Sequence, residues 1–268
     1  MTIWAERLAV VSDEAATGFA EAVRACLPLG IRAYELRALP GGRVPYVSRQ
    51  AIDEVLSEVQ AHNLRLIGLS PGFGKLELDD PAADDELSRG LDVTFSLMDR
   101  LGVRRMTMFT YRRTGRETPI PPGVTDRIRR AAEGCRAAGF DLLLENSASC
   151  WGDTGEHVAA LARAAGAYVT WDPGNAQAAG DRPFPDGYAA VRHMVAHVHC
   201  KNWRPEAGWV DINAGLVDMA GQVAALKADG YTGYFCVEPH QWQRRAEAVA
   251  DNTTQLLQLL ERGSAPSS

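Results

Sequence analysis

Asp141-Leu142-Leu143-Leu144-Glu145 and Tyr168-Val169-Thr170-Trp171-Asp172 are two short apolar runs, each closed by an acid, with helical periodicity at 156–165 between them. A run of that length, a helix ended by Gly166 and a second run make one β-α-β unit, because parallel strands need a crossover of a dozen or more residues. Moving outward, similar runs fall at 8–12, 33–36, 66–70, 105–109, 196–200 and 234–238. The starts of the eight runs lie 25, 33, 39, 36, 27, 28 and 38 residues apart, room for one helix and two loops but not for an inserted domain. Helical spacing fills the gaps at 16–25, 49–62, 86–101, 125–138, 156–165, 186–194, 218–228 and 246–260, with Gly102, Gly139, Gly166 and Gly230 as stops.

Strict alternation allows an open doubly wound sheet or a closed barrel, and eight units favour closure. A dinucleotide-binding sheet would place a glycine-rich turn after the first strand, whereas Val11-Ser12-Asp13-Glu14 puts acids there. Gly72 and Gly74 follow the third run without a third glycine and read as a loop. The predicted fold is α/β, a single-domain (β/α)8 TIM barrel over residues 1–262, with 263–268 as a disordered tail.

The 268 residues, 46% hydrophobic, are few enough for one core and numerous enough to need no staple. Net charge is −6, and only Lys75, Lys201 and Lys227 among the 28 basic residues are lysine, so the chain has no basic tract and no nucleic-acid partner is expected. Apolar runs stay far below the roughly 20 residues needed to span a bilayer. The N-terminus also lacks a signal-peptide layout, so a cytoplasmic protein without a membrane partner is expected. The five cysteines (Cys26, Cys135, Cys150, Cys200, Cys236) are odd in number and widely spaced, which predicts buried thiols, not disulfides or a thiolate zinc site.

In a barrel, function sits where the strands end. Runs five to eight end on Glu145, Asp172, His199 and Glu238, spaced 27, 27 and 39 residues apart, one unit each, so the four side chains can converge at the mouth. Three carboxylates crowded together repel unless something positive lies among them. A single divalent cation meets that need; oxygen donors with one imidazole suit manganese first, then magnesium or cobalt, with zinc possible. The alternative is a buried ion-pair cluster in which Lys201 or an arginine supplies the charge. His197, His199 and Lys201 share strand parity and face inward; His197 lies one layer deeper, where it could orient a ligand or fill the core, and Lys201 lies at the rim, near a substrate hydroxyl or in solvent. Glu35 and Arg37 leave the second run together and could bind hydroxyls or pair with each other. Trp151, Trp203, Trp209 and Trp242 fall in loops of the same face, where they could stack on a bound substrate, cover the mouth or meet a second subunit.

Leu142-Leu143-Leu144-Glu145-Asn146, Trp171-Asp172-Pro173-Gly174-Asn175, His197-Val198-His199-Cys200-Lys201-Asn202 and Val237-Glu238-Pro239-His240 together resemble the xylose isomerase-like TIM-barrel family of sugar isomerases and epimerases. The resemblance covers nearly the whole chain. It implies one divalent metal held by Glu145, Asp172, His199 and Glu238, with Glu145 and Glu238 as the proton-transfer pair. The ketose 3-epimerase pattern is not kept where substrate is read: Asn175 stands for a histidine, Trp151 for an acid, and Pro205, beside Arg204, for an arginine. The similar fold of endonuclease IV needs further metal-binding histidines, whereas His62, His157 and His193 fall in helical stretches here.

The expected function is therefore metal-dependent isomerisation or epimerisation of a keto-sugar or related polyol ketone through an enediolate. The rivals are a carbohydrate lyase or dehydratase on the same site and a non-catalytic carbohydrate-binding barrel. Expected substrate contacts are Glu35, Arg37, Trp151, Asn175, His197, Lys201 and Arg204, and by family analogy the chain could form a dimer or tetramer.

Overall fold

The computed structural model describes residues 4–115 and 119–262, so the tail expected at 263–268 lies outside the described residues. Eight parallel strands close into a barrel: β1 (Leu8–Val11), β2 (Ala33–Leu36), β3 (Arg65–Leu69), β4 (Arg105–Met108), β5 (Asp141–Glu145), β6 (Tyr168–Trp171), β7 (Val195–Cys200) and β8 (Phe235–Val237). Closure is made by β1 against β8, with Leu8 opposite Phe235, Ala9 opposite Cys236 and Val10 opposite Val237. The remaining strands pair in sequence order, as βαβ connections of one hand require.

Strand parity separates two interiors. Leu8, Val10, Tyr34, Leu36, Leu142, Leu144, Val169, Trp171, Val198 and Phe235 point outward into one large apolar core shared with the helices. Ala9, Val11, Ala33 and Cys236 form a separate small cluster inside the barrel. That inner space is largely polar, since Glu35, Thr107, Thr170 and His197 are buried there and the Thr107 and Thr170 hydroxyls are 3.1 Å apart. Small residues on β1 and β2 leave room for this network, on which the mouth of the barrel rests.

Departures from the expected elements lie mostly at the mouth. The first strand stops at Val11, and Ser12–Ala15 makes a single helical turn before the helix Phe19–Cys26. That turn aims Asp13 and Glu14 at Arg37, at 2.9 and 2.5 Å. Two hairpins lie outside the expected elements, Ala38–Leu39 with Gly42–Arg43 and Asn202–Arg204 with Gly208–Val210. The helix expected at 186–194 is regular only over Tyr188–Val191: a wider turn over Pro183–Gly187, with Phe184 out of helical geometry, leads into it, and a turn closed by Met194 N to Val191 O at 2.7 Å ends it. His193 lies in that closing turn. An unexpected short helix, Pro173–Ala178, follows β6 directly.

All five cysteines are free and buried. Burial pushes the Cys26 and Cys135 thiols up to about 12 and raises Cys150, Cys200 and Cys236 as well, so thiolate is scarce near neutral pH. The native protein at pH 8 is expected to show no fast-reacting thiol toward an aromatic disulfide reagent, and all five after denaturation. A rapid thiol in the native protein would contradict this packing. Among the described residues no helix is long and apolar enough to cross a membrane.

Candidate metal centre

Glu145 ends β5, Asp172 follows β6 by one residue, His199 is the penultimate residue of β7, and Glu238 follows β8 by one. All four are buried, and one ligand atom from each falls within 4.8 Å of the others. Local hydrogen bonds fix the spacing. The Asn146 amide bridges two strand ends, donating to Asp172 O at 2.8 Å and accepting from Asp172 N at 2.9 Å. Asp172 Oδ1 accepts from Asn175 N at 2.9 Å, capping the helix Pro173–Ala178. The Asn175 amide donates to Glu145 Oε1 at 3.1 Å and to Asn146 O at 3.0 Å, so it ties the β5 and β6 ends together.

His199 is oriented from below. Its Nε2 and the Nε2 of His197 are each 2.9 Å from the same oxygen of Glu35. His199 Nδ1 then points up between Glu145 Oε1 at 3.5 Å and Glu238 Oε2 at 3.3 Å, and has no hydrogen-bond partner although buried. A carboxylate holding one imidazole nitrogen while the other faces an acidic cluster is the arrangement of a metal-ligating histidine. Burial opposes protonation of His199, but Glu238, Glu35 and Glu145 outweigh it and hold the ring well above the ordinary imidazole value. For His197 burial prevails over Glu35, and its value is lowered.

A second charge sits in the cluster. The Lys201 ammonium lies 2.6 Å from Glu238 Oε2 and 2.7 Å from Asp172 Oδ2, the latter an ion pair poorly aligned for a hydrogen bond. Burial pushes Asp172 up to about 6; Lys201 pulls against this, and Glu238 and Glu145 push further. Burial acts the same way on Glu238, yet Lys201 and the neighbouring imidazoles bring it well below the usual carboxylate range. Arg37 adds a further contact, Nη1 to Glu238 Oε1 at 2.5 Å. The donor set, three carboxylates and one unpartnered imidazole nitrogen, fits a hard or borderline divalent cation, which Glu145, Asp172, His199 and Glu238 would hold.

Above the cluster opens a cavity of about 260 Å3, whose lining includes Arg37, Arg43, Lys75, Asn175, Lys201, Trp242, Glu145 and Glu238. A larger depression of about 570 Å3, around Arg105, Tyr168 and Tyr231, lies at the opposite end. In a parallel barrel that end carries stability, and no member of the cluster lines it.

The expected substrate contacts divide. Arg37, Asn175 and Lys201 line the cavity, but each is also bonded to cluster acids. Lys201 was expected at the rim and is instead 1% exposed, packed beneath the Trp209 ring with Nζ 4.9 Å from its centroid. Glu35 and Arg37 were expected near hydroxyls or paired with each other; Glu35 is sealed below the cluster with both histidines, and Arg37 binds Asp13, Glu14 and Glu238. His197 lies in that same lower layer. Trp151 is buried away from the cavity under the Arg113 guanidinium, and Arg204 pairs with Glu206 at 3.4 Å on an exposed hairpin. Of the loop tryptophans, Trp242 lines the cavity and stacks on Arg37, while Trp203 pairs with Trp209 in the second hairpin. Asp13, Glu14, Asn146, Arg43 and Lys75 were missed. Acids directly after the first strand were a usable signal for the first two, since that position faces the mouth.

A closed parallel barrel with an acid–imidazole cluster at the C-terminal ends of its strands defines a class, the TIM barrels whose strand-end residues form the functional site. Within it the chain belongs to the xylose isomerase-like TIM barrel family, whose model matches residues 23–260. Among solved structures it is similar to the probable 3-DHS dehydratase AsbF of Bacillus anthracis, involved in petrobactin synthesis (13% identity, 94% of this chain and 98% of that one, TM-score 0.76). It is likewise similar to the IOLI protein with a bound zinc atom (15% identity, 96% and 98% coverage, TM-score 0.78). A third is D-allulose 3-epimerase from Methylomonas sp. in complex with D-allulose (15% identity, 94% and 97% coverage, TM-score 0.71). At such identities the likeness is one of fold. No curated protein sequence matches the chain.

Proposed function

We propose that the chain is a divalent-metal-dependent isomerase or epimerase of a keto-sugar or related polyol ketone, working through an enediolate. The observation that carries this reading is the unpartnered His199 Nδ1, aimed between Glu145 and Glu238 at the floor of the cavity. A cation bound by these residues with Asp172 would polarise the ketone and offset charge on the enediolate. The protein supplies the proton chemistry. Glu145 and Glu238 approach from β5 and β8, so one carboxylate removes the proton beside the ketone and the other returns it. Return to the opposite face gives epimerisation, and return to the neighbouring carbon gives isomerisation. Glu145 is held by the neutral Asn175 amide, whereas Glu238 is gripped by Arg37 and Lys201, so the two carboxylates have different surroundings. Oxygen-rich coordination puts manganese first, ahead of magnesium, cobalt and zinc.

Elemental analysis by plasma mass spectrometry tests the centre. About one divalent ion per chain is expected in gently purified protein, and none in a Glu145→Ala, His199→Ala double variant. No ion, with none taken up on titration, would sink the enediolate mechanism and leave a carbohydrate-binding role. Product mass then sorts the chemistry: an isomerase conserves it, and loss of one water would assign a dehydratase instead.

A further inference from the structure

Two cations on the cavity wall stand outside the ion-pair network of the described residues. Arg43 ends the hairpin after β2, Lys75 lies in the loop after β3, and both line the cavity above the cluster. Neither makes an ion pair among the described residues, whereas Arg37 is committed to Asp13, Glu14 and Glu238, and Lys201 to Asp172 and Glu238. Both unpaired groups are held in place. Arg43 Nε donates to Ser70 O at 3.3 Å, and a Cβ on Gly72 would stand 2.7 Å from that nitrogen, so the guanidinium rests on bare backbone.

The Lys75 loop is laddered to the segment after β4 by Phe109 N to Phe73 O at 2.8 Å and Tyr111 N to Gly74 O at 2.7 Å. Glycine at 74, with φ +73°, is what lets the strands of that ladder meet, since a Cβ there would lie 2.2 Å from Phe109 O. The ladder seats the Lys75 ammonium over the Phe109 ring, 3.9 Å from its centroid. Arg43 is half-buried and Lys75 is open to the water of the cavity, so a ligand can reach both. The surrounding protein nonetheless lowers both from their ordinary values, through burial first; Arg37 further lowers Arg43, and Arg43 further lowers Lys75. Glu145 is the main acid attracting Lys75, and the metal reading commits Glu145 to a cation.

We infer that the substrate is an anionic α-hydroxy ketone, whose carboxylate or phosphate docks between Arg43 and Lys75 while its ketone end lies over Glu145 and Glu238. This rests on the enediolate reading for the ketone end alone; the anion subsite stands on Arg43 and Lys75. A planar guanidinium and an ammonium lining one cavity can hold an oxyanion through charge-assisted hydrogen bonds, and a neutral sugar would leave both cations unneutralised.

D-Fructose, D-fructuronate and D-fructose 6-phosphate share the ketone end and differ at the far carbon in being neutral, carboxylate or phosphate. Their dissociation constants, measured by calorimetry with and without added Mn2+, test the subsite. At least one anion is expected to bind about ten- to a hundredfold more tightly than fructose, the range for charge-assisted hydrogen bonds. Advantage to the carboxylate alone assigns sugar acids, and advantage to the phosphate alone assigns sugar phosphates. In Lys75→Met and in Arg43→Met the ratio should fall toward 1. Equal binding of all three, failure of both anions to bind at millimolar concentration, or a ratio that persists in both variants would overturn the inference. Cation uptake without anion preference defeats the subsite only, and anion preference in protein that takes up no cation defeats the metal reading only.

Discussion

Glu238→Gln is expected to slow turnover of an identified ketone substrate about 10²- to 10⁴-fold, the usual contribution of a positioned proton-transfer group. Glutamine keeps an oxygen toward the cluster, so the metal content should survive while the proton acceptor is lost. The informative readout is hydrogen exchange, with substrate incubated in deuterated water and the label located by mass spectrometry. Wild-type protein should wash deuterium into the carbon beside the ketone, and the variant should lose that exchange. Glu145→Gln should be impaired in the same assay through the other face. Because the new amide faces Arg37 and Lys201, thermal midpoints should accompany the rates to separate chemistry from misfolding. Undiminished exchange in a folded, metal-bearing Glu238→Gln protein would remove Glu238 from the reaction.

Lys201→Met should destabilise the metal-free protein by about 3–5 kcal/mol, the cost of stripping one partner from a buried ion pair. The ammonium is sealed from solvent at the end of β7, with Asp172 at 2.7 Å and Glu238 at 2.6 Å. Methionine fills most of the space but leaves those carboxylates facing one another in a poorly solvated pocket. At roughly 2–4 °C per kcal/mol for a domain of this size, the shift is large enough to read in a melting curve. Added Mn2+ should recover part of it, so cation-induced stabilisation should be greater in the variant than in the wild type. An unchanged midpoint would show that Lys201 carries no weight in the metal-free cluster.

The barrel was legible because its signals are local and repeated, short apolar runs alternating with helical spacing in units too short to hide a domain. Glu145, Asp172, His199 and Glu238 were legible because a barrel sends function to strand ends, and parity sends those positions inward. Depth was not legible. Glu35 and Lys201 both have inward parity, but which layer each occupies depends on the stagger of the closed sheet, and both lie deeper than expected. Arg43 and Lys75 were invisible for another reason: their placement depends on a hairpin and on a backbone ladder between separate loops, with contacts such as Phe109 to Phe73, 36 residues apart, that no local pattern announces.

The ligand cluster comes from β5 to β8, and the unpaired cations above it come from the connections after β2 and β3. The proposed reactive floor and the proposed anion subsite are thus drawn mainly from different halves of the polypeptide, joined by Glu35 and Arg37, which reach from β2 and its end to His199 and Glu238. A substitution at Arg43 or Lys75 would alter the proposed subsite while leaving Glu145, Asp172, His199 and Glu238 in place. On the proposed reading, a lineage carrying this barrel can explore new substrates by drift in these two connections, so long as Glu35 and Arg37, which hold His199 and Glu238, are kept.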